Sequence, residues 1–286
     1  MFEYPYRNTF KRGLAAIYKP YNIIIMKIAI LFGTVILMFS TSLQAQTVTL
    51  DYYFNHEVHK DSSGKVVRFH YMWEDHANTG FSIFGDVFRK NGAVLKSLDA
   101  APTMSNLKGS AIYIIVDPDT KKESSDPKYI EEEHIAQIVK WVRAGGVLLM
   151  MANDSANVEL PHFNHLAARF GMHFNDDLQN HVIDDNHFED GAVDPKNNPA
   201  FKTSAKIFMK DVCSVRTTNK ARPFLKNKNG ATIIAVAKFG KGTVLAVGDP
   251  WLYNEYVNGR LPVGYENDKA ADDLVKWLIA QVPLNK

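Results

Sequence analysis

The chain has 286 residues, of which 46% are hydrophobic, with 33 basic and 31 acidic side chains. Its single cysteine, Cys213, excludes an internal disulfide and argues against a cysteine-based metal site. Residues 1–45 hold five basic residues and one acidic residue, so the rest has 28 basic and 30 acidic side chains, a charge near −2 that argues against a nucleic-acid partner.

The first 45 residues predict export. From Met26 the chain reads MKIAILFGTVILMFSTSLQAQ, a basic residue and an apolar run followed by small and polar residues. This run is short for a bilayer span, so we expect a signal peptide at 26–45, after an extension at 1–25 that reflects a start codon assigned too far upstream. Residues 46–286 would then be periplasmic or secreted, with no stable membrane span after processing. The alternative is a single membrane anchor with a basic cytoplasmic tail.

Strand and helix signals alternate along residues 46–286, which predicts a single α/β domain with a mostly parallel, doubly wound sheet and helices on both faces. The strand candidates are short apolar runs. The run SAIYIIVDP is continuous and rich in β-branched residues, which is typical of a strand covered on both faces. In chain order the candidates are VTLDYYF, AVLKSLD, SAIYIIVDP and VLLMMA, then ATIIAVAKF and GTVLAVGD, which form a C-terminal β-hairpin.

Apolar stripes at helical spacing predict four helices. GFSIFGDVFRKNG ends at Gly92, and YIEEEHIAQIVKWVRAGG has acidic residues in its first turn and two glycines at its end. PHFNHLAARFG begins near Pro161 and stops at Gly171, and DKAADDLVKWLIAQ is the last helix. Residues 175–200 are polar, acidic and turn-rich, which predicts an excursion or lid within the domain.

Polar and aromatic side chains cluster at the predicted carboxyl ends of the strands, where open α/β sheets bind ligands. Loops ordinarily carry some polar residues, but this density of carboxylates, amides and aromatics predicts a ligand site. The candidates are Asn55, His56 and Glu57; Asp117 and Asp119; Asn153, Asp154, Ser155 and Asn157; and Asp249, Trp251, Tyr253, Asn254 and Glu255.

The same segments resemble a known family. With GGVLLMMANDSAN at mid-chain and KGTVLAVGDPW near the end, the element order resembles the class I glutamine amidotransferase-like (flavodoxin-like) fold. LDYYFNHE, FHYMWEDHANTGFSIFGDVF, YIIVDPDT, MANDSANVE and VGDPWLYNEY resemble an uncharacterised domain of exported Bacteroidetes-type proteins, over essentially all of residues 48–284. That domain is often fused to, or encoded beside, family 88 and 105 glycoside hydrolases, the unsaturated rhamnogalacturonyl hydrolases. The resemblance therefore implies a role in carbohydrate utilisation.

The chemistry of the amidotransferases does not carry over. That family needs a thiolate at the turn after VLLMMA, activated by a histidine further along the chain. The turn has no cysteine, and His187 is the last histidine, so we expect no glutamine hydrolysis. The helical (α/α)-barrel of the hydrolases is absent as well. Ser155 lacks the G-x-S-x-G elbow that would expose a nucleophile, and Asp154 or Ser155 capping the next turn is the simpler interpretation.

No histidine pair has the spacing of a metal site, and we expect no metal and no cofactor. His56 and His59 lie on opposite faces of an extended segment, and His162 and His165 share a solvated helix face. The acidic excursion leaves a calcium site open as a hypothesis. Its candidate ligands are Asp184, Asp185, Glu189 and Asp190, beside His181 and His187.

The four tryptophans divide into two groups. Trp141 and Trp277 have the spacing of packing residues on helices, whereas Trp73 and Trp251 lie beside charged or turn residues. A sugar ring binds with one apolar face on an aromatic ring, so either of the latter two could be a stacking platform. For Trp251 the alternative is that it closes the sheet edge over the core.

Three hypotheses of function follow. The first is an exported protein, inactive as an amidotransferase, that binds a pectin-derived oligosaccharide or assists a glycoside hydrolase, with the strand-end carboxylates and amides binding sugar hydroxyls. The second is a glycan hydrolase or isomerase with acid and base among Glu57, Asp117, Asp154 and Asp249, assisted by His56. The third is a subunit-contact module that positions a partner hydrolase.

Overall fold

The computed structural model of the chain describes residues 1–2, 45–218 and 220–283. From Ala45 onward the chain forms one compact unit. The expected signal peptide and the extension before it fall almost entirely outside the described residues. None of the helices in the described part is both long and apolar enough to cross a bilayer.

Thirteen strands and four α-helices are present in the described residues. The strands are β1 (Thr47–Asp51), β2 (Val58–Lys60), β3 (Val66–Arg68), β4 (Val94–Leu98), β5 (Ser110–Val116), β6 (Val147–Met151), β7 (Met172–Phe174), β8 (Ala192–Val193), β9 (Ile207–Phe208), β10 (Val215–Thr217), β11 (Ala221–Lys226), β12 (Thr232–Phe239) and β13 (Gly242–Val247). The helices are α1 (Ser82–Lys90), α2 (Glu132–Ala144), α3 (Leu160–Arg169) and α4 (Asn267–Gln281).

A seven-stranded sheet forms the centre of the fold, in the order β11-β12-β13-β6-β5-β1-β4. The run from β13 to β4 is parallel, and β12 pairs antiparallel with both β13 and β11. This arrangement confirms the predicted mostly parallel α/β sheet and the C-terminal hairpin of β12 and β13. Because five neighbouring strands run the same way, their carboxyl ends share one edge of the sheet.

The two faces of the sheet are covered by different helices, as a doubly wound sheet requires. Phe84 and Phe88 of α1 and Leu274 of α4 belong to one core cluster with alternate residues of β1, β5 and β6. Ile138 of α2 and Phe163 of α3 belong to the cluster on the opposite face. Successive side chains of a strand point to opposite faces, so the continuous apolar runs of the central strands supply both clusters.

The segment predicted as an excursion or lid is in large part packed against the domain. Phe188, in a 3-10 turn, contacts the rings of Phe208 and Tyr265, with ring centroids 5.3 and 6.4 Å apart. Val182 and Val193 are also buried in the core cluster. A short ladder pairs β8 with β9. Residues 175–200 therefore form a wall of the domain, although their composition is polar.

Candidate functional site

The carboxyl ends of β1, β5 and β6 are joined by hydrogen bonds. Asn55 Nδ2 donates to the backbone oxygen of Asp117 at 2.8 Å. The Asp119 N–H donates to the backbone oxygen of Phe54 at 2.9 Å, and the Asp117 N–H donates to that of Met151 at 3.0 Å. Three of the strand ends that were predicted to carry the site therefore meet at one edge.

Tyr71 connects this edge to the segment after β13. Its hydroxyl donates to Asp117 Oδ2 at 2.8 Å and accepts a hydrogen bond from Trp251 Nε1 at 3.1 Å. Tyr71 and Asp117 are buried, whereas Trp251 is partly exposed. The three side chains thus form a hydrogen-bonded chain from the core to the surface.

Asp249 is buried directly after β13. Its Oδ1 accepts from the Trp251 N–H at 2.7 Å and its Oδ2 from the Lys210 N–H at 3.1 Å. The Lys210 ammonium lies 5.5 Å from the ring centroid of Trp251 and 5.6 Å from that of Tyr256, and it is 3.2 Å from a carboxylate oxygen of Asp211. Asp249 therefore fixes the backbone of Lys210, which supplies the cation, and the backbone of Trp251 beside it.

Glu57 and His70 form a hydrogen-bonded pair, and the charge of Glu57 acts on Asp119. The buried Glu57 carboxylate accepts a hydrogen bond from Nδ1 of His70. His56 turns elsewhere, because its Nδ1 lies 3.3 Å from Asp99 Oδ1, and only its backbone N–H reaches the cluster, donating to Asp119 Oδ2 at 2.9 Å. The histidine that the carboxylate orients is thus His70, where the sequence suggested His56.

Burial raises the pKa of three aspartates at this edge. It raises the pKa of Asp119 to about 7, with further repulsion from the charges of Glu57 and Glu123. Burial also raises the pKa of Asp249 to about 7, although hydrogen bonds from the Trp251 and Lys210 N–H groups stabilise the charged form and oppose this rise. The pKa of Asp117 lies well above its usual value, again chiefly through burial. These groups can carry protons near neutral pH and donate hydrogen bonds to a ligand oxygen.

Left-handed backbone conformations also occur at this edge. His70, Tyr71 and Asp117 have φ angles of 65°, 46° and 34°. A residue with a side chain adopts such a conformation at a cost of roughly 1–3 kcal/mol, and it persists only where the surroundings impose it. Strain of this kind concentrates at functional sites, so it supports this edge as the site of the protein.

A cavity of about 490 Å³ opens beside Tyr256. It is lined by residues 182–186 and 188, and by Tyr256 and Arg260 in the segment after β13. The Arg260 guanidinium lies 4.1 Å from the centroid of the Tyr256 ring and hydrogen-bonds both carboxylate oxygens of Asp185. Lys210 also lines the cavity, and the rings of Trp251 and Tyr256 contact each other with centroids 5.1 Å apart. The volume lies within the range of ligand pockets, and the lining combines aromatic rings with charged groups.

The turn after β6 contributes mostly local structure. Asp154 accepts hydrogen bonds from the Ala156 N–H at 2.9 Å and from Asn157 Nδ2 at 3.0 Å. Its N–H donates to the Oδ1 of Asn153, which is buried. Asp154 therefore caps this turn, as the simpler interpretation held. Ser155 and Asn157 are exposed, and Ser155 lines a second cavity of about 420 Å³.

Two aromatic candidates belong to the core. Trp73 is 4% exposed, its ring lies 6.2–6.4 Å from those of three phenylalanines of the α1 region, and its Nε1 donates to the Lys96 backbone oxygen. Tyr253 is buried against Phe84. The prediction of Trp73 as a stacking platform is therefore corrected, because neighbouring side chains cover its ring.

Asn254 and Glu255 also have structural partners. Asn254 is fully buried and donates to the Asn78 backbone oxygen. Glu255 Oε1 accepts from the Ser82 hydroxyl and from the Ile83 N–H, at the N-terminus of α1. A carboxylate at this position neutralises free N–H groups and the positive end of the helix dipole. The two residues thus anchor the segment after β13 to α1 and to the loop before it.

The four candidate calcium ligands of the 175–200 segment each contact a different partner instead of converging. Asp184 hydrogen-bonds His187, Glu189 pairs with Lys206, and Asp190 lies 3.7 Å from Lys228. In the described part of the chain, no group of three or more histidine, cysteine or acidic side chains has the arrangement of a metal site. The calcium hypothesis therefore has no geometric support in this segment.

Cys213 is buried, and burial raises the pKa of its thiol well above the usual value. A buried thiol with a raised pKa forms little thiolate, the reactive species. The turn after β6 contains no cysteine that could act as the nucleophile of an amidotransferase.

Several residues of the site were missed from the sequence. His70 and Tyr71 lie in the irregular segment between β3 and α1, where periodicity carries no information. Lys210, Tyr256 and Arg260 follow short elements whose partners are distant in sequence. The one signal available was the resemblance over FHYMWEDH, which singles out His70 and Tyr71 without assigning them a role.

No family model matches the sequence, and no curated protein matches it. Among solved structures, the mmIFT52 N-terminal domain aligns with a TM-score of 0.57 at 17% identity, over 82% of this chain and 97% of that one. Cytoplasmic Protein STM1381 from Salmonella typhimurium LT2 aligns with a TM-score of 0.53 at 12% identity, over 83% and 100%. A β-galactosidase from Rahnella sp. R3 aligns with a TM-score of 0.50 at 12% identity, over 84% of this chain but 32% of the enzyme. At these identities the likeness shows a shared α/β fold.

Proposed function

We propose that this protein binds a pectin-derived oligosaccharide at the carboxyl edge of its sheet, as an exported protein of carbohydrate utilisation. The observation that carries the proposal is the partly exposed Trp251–Tyr256 pair beside the 490 Å³ cavity, tied through Tyr71 to the buried Asp117. The resemblance to domains that accompany unsaturated rhamnogalacturonyl hydrolases supports this ligand class.

The composition of the site suits a sugar. Aromatic rings offer apolar faces to the C–H faces of a pyranose, and charged side chains bind pairs of vicinal hydroxyls. Lys210 and Arg260 are each already matched by a carboxylate, Asp211 and Asp185, so the site is close to neutral. Donors and acceptors are both present for sugar hydroxyls, and the two cations can also bind the uronate carboxylates of a pectic oligosaccharide.

Association with a glycoside hydrolase belongs to the same proposal. The segment of the Rahnella β-galactosidase that aligns with this chain is about a third of that enzyme, so a domain of this fold occurs within a glycoside-cleaving protein. A protein that holds an oligosaccharide would assist such an enzyme by raising the local concentration of substrate. A pure subunit-contact module would instead bind a hydrolase without affinity for glycans.

An enzymatic role is the second candidate, favoured by the raised pKa values of Asp119 and Asp249, since shifted carboxyl groups of this kind are typical of catalytic acids. Asp249→Asn would then abolish turnover of a rhamnogalacturonan fragment while the fragment still binds. Trp251→Ala would weaken binding and leave the bound substrate reactive.

The test of binding is calorimetry with rhamnogalacturonan and homogalacturonan oligosaccharides. We expect Trp251→Ala to weaken the affinity about tenfold, equivalent to about 1.4 kcal/mol, because it removes the stacking face. Trp277→Phe is the matched control, since Trp277 of α4 packs against Phe224 of β11 and its replacement should leave the affinity unchanged. Equal affinity of wild type and Trp251→Ala, or no binding to any fragment, would refute the proposal.

Export through the 26–45 signal also remains part of the proposal. Cleavage near Ala45 would leave Gln46 at the N-terminus, directly before β1. Intact mass of the protein purified from its native cells should match a chain that begins near Gln46. Retention of residues 1–45 would contradict processing.

A further inference from the structure

We propose that His70, oriented by Glu57, is a general base at the carboxyl edge of the sheet. With this base the protein hydrolyses ester substituents on the glycan that it binds. This inference rests on the proposed glycan binding and adds a reaction to it.

The His70–Glu57 pair has the geometry of an oriented base. The Glu57 side chain is 7% exposed, and its carboxylate accepts the hydrogen bond from Nδ1 of His70. The other ring nitrogen, Nε2, is then the one that can accept a proton. The His70 side chain is 26% exposed, so the ring can reach a ligand or water. A buried carboxylate at one ring nitrogen fixes the tautomer and stabilises the imidazolium that forms when the other nitrogen takes a proton.

The backbone holds this pair in place. The Phe69 N–H donates to the Glu57 backbone oxygen at 3.3 Å, and the Tyr71 N–H donates to that of Thr79 at 2.8 Å. These bonds fix both sides of His70, whose φ of 65° is left-handed. An ion pair on an ordinary surface needs no such conformation, so the strain points to a requirement for the position of the ring.

The pair is connected to the proposed glycan site through the next residue. Tyr71 follows His70 in the chain, their rings lie 5.6 Å apart, and the Tyr71 hydroxyl contacts both Asp117 and Trp251. An oligosaccharide stacked on Trp251 that extends past the buried Tyr71 would bring its substituents towards His70.

Ester hydrolysis is a reaction that a single general base can promote. In ester hydrolysis, water transfers a proton to Nε2 while its oxygen attacks the ester carbonyl. The tetrahedral oxyanion then collapses, the bond from the carbonyl carbon to the sugar oxygen breaks, and the imidazolium returns its proton to that oxygen. The products are a carboxylic acid and a free sugar hydroxyl, and Glu57 stays a carboxylate throughout. Cleavage of a glycosidic bond by the common route instead takes two carboxyl groups on opposite sides of the bond.

The test measures acetate release from O-acetylated pectic oligosaccharides. We expect the wild type to release acetate and His70→Asn to lower kcat/KM by at least about a hundredfold, the usual contribution of a general base. Asparagine tolerates a left-handed φ, so this variant should retain the fold. Glu57→Gln should lower kcat with little change in KM. His56→Asn is the control, because His56 is half-exposed and directed at Asp99.

Four other outcomes would contradict the proposed esterase activity or the role of the His70–Glu57 pair in it. Wild type that binds the deacetylated oligosaccharide but releases no acetate would overturn the esterase activity and leave the proposed binding intact. Equal release by wild type and folded His70→Asn would remove His70 as the base. If His70→Asn fails to fold, unchanged kcat in Glu57→Gln overturns the role of the pair. Loss of binding in the wild type would refute both proposals.

Discussion

Single buried carboxyl groups set the electrostatics of the strand-end site. Oδ1 of Asp117, Oδ1 of Asp119 and Oδ1 of Asn55 are buried with no hydrogen-bond partner in the described residues. An unsatisfied buried oxygen costs roughly 1–3 kcal/mol, which a protein tolerates where a ligand or a proton completes the site. Their sequence positions after β1 and β5 were predicted, but the lack of partners depends on how two loops pack together, which no local pattern encodes.

Asp119→Asn tests this arrangement through the pH dependence of stability. Asp119 has a pKa of about 7 in the folded protein, above the value near 4 of an unfolded chain. The folded state therefore holds a proton that the unfolded chain releases, so its stabilisation is complete below about pH 4 and is lost as the pH rises through about 7. Asparagine keeps the acceptor for the His56 N–H but cannot ionise.

We expect the stability of Asp119→Asn relative to wild type to increase by on the order of 1–2 kcal/mol between pH 5 and pH 8, measured by urea unfolding at both values. Asp86→Asn is the control, since Asp86 is an exposed carboxylate on α1 paired with Arg89. A difference between Asp119→Asn and wild type that is the same at both pH values would contradict the account.

The regular elements could be predicted because their sequence patterns are local. The apolar stripes of the helices and the runs of β5, β6 and β13 identified them. β11 was missed because Pro223 interrupts its pattern, yet β11 is an edge strand, where a missing N–H is tolerated. The pairing of the two- and three-residue strands was not predicted either, since it depends on tertiary contacts and leaves no periodicity in the sequence.

Gly248→Ala tests how the end of β13 is fitted to the segment around Cys213. A Cβ at Gly248 would lie 1.9 Å from the Cys213 backbone oxygen, so the backbone must move. We expect a loss of about 3 kcal/mol in the free energy of unfolding, together with displacement of Lys210 from Asp249. The comparison is Gly230→Ala, where no atom lies within 4 Å and the φ of 84° alone should cost about 1 kcal/mol. Equal losses in the two variants would argue against the close fit.

At the scale of the molecule, the parallel sheet is what assembles the site. Asn55, Asp117 and Asp249 are far apart in sequence, and the rule that parallel strands end at one edge was enough to predict their convergence. The rule could not select among strand-end residues, because Trp73 and Glu255 satisfy packing and capping needs while His70 enters from an irregular loop. Which polar residue faces a ligand is decided by side-chain packing across the whole fold.

Hydrogen exchange of the protein with and without a rhamnogalacturonan oligosaccharide tests the proposed binding site directly. Binding at the carboxyl edge predicts slower amide exchange in residues 182–188, 208–211 and 250–260, which surround Trp251 and the cavity, and unchanged exchange in the β7–β10 ladder. Protection confined to other surfaces, with these three segments unaffected, would contradict binding at the carboxyl edge of the sheet.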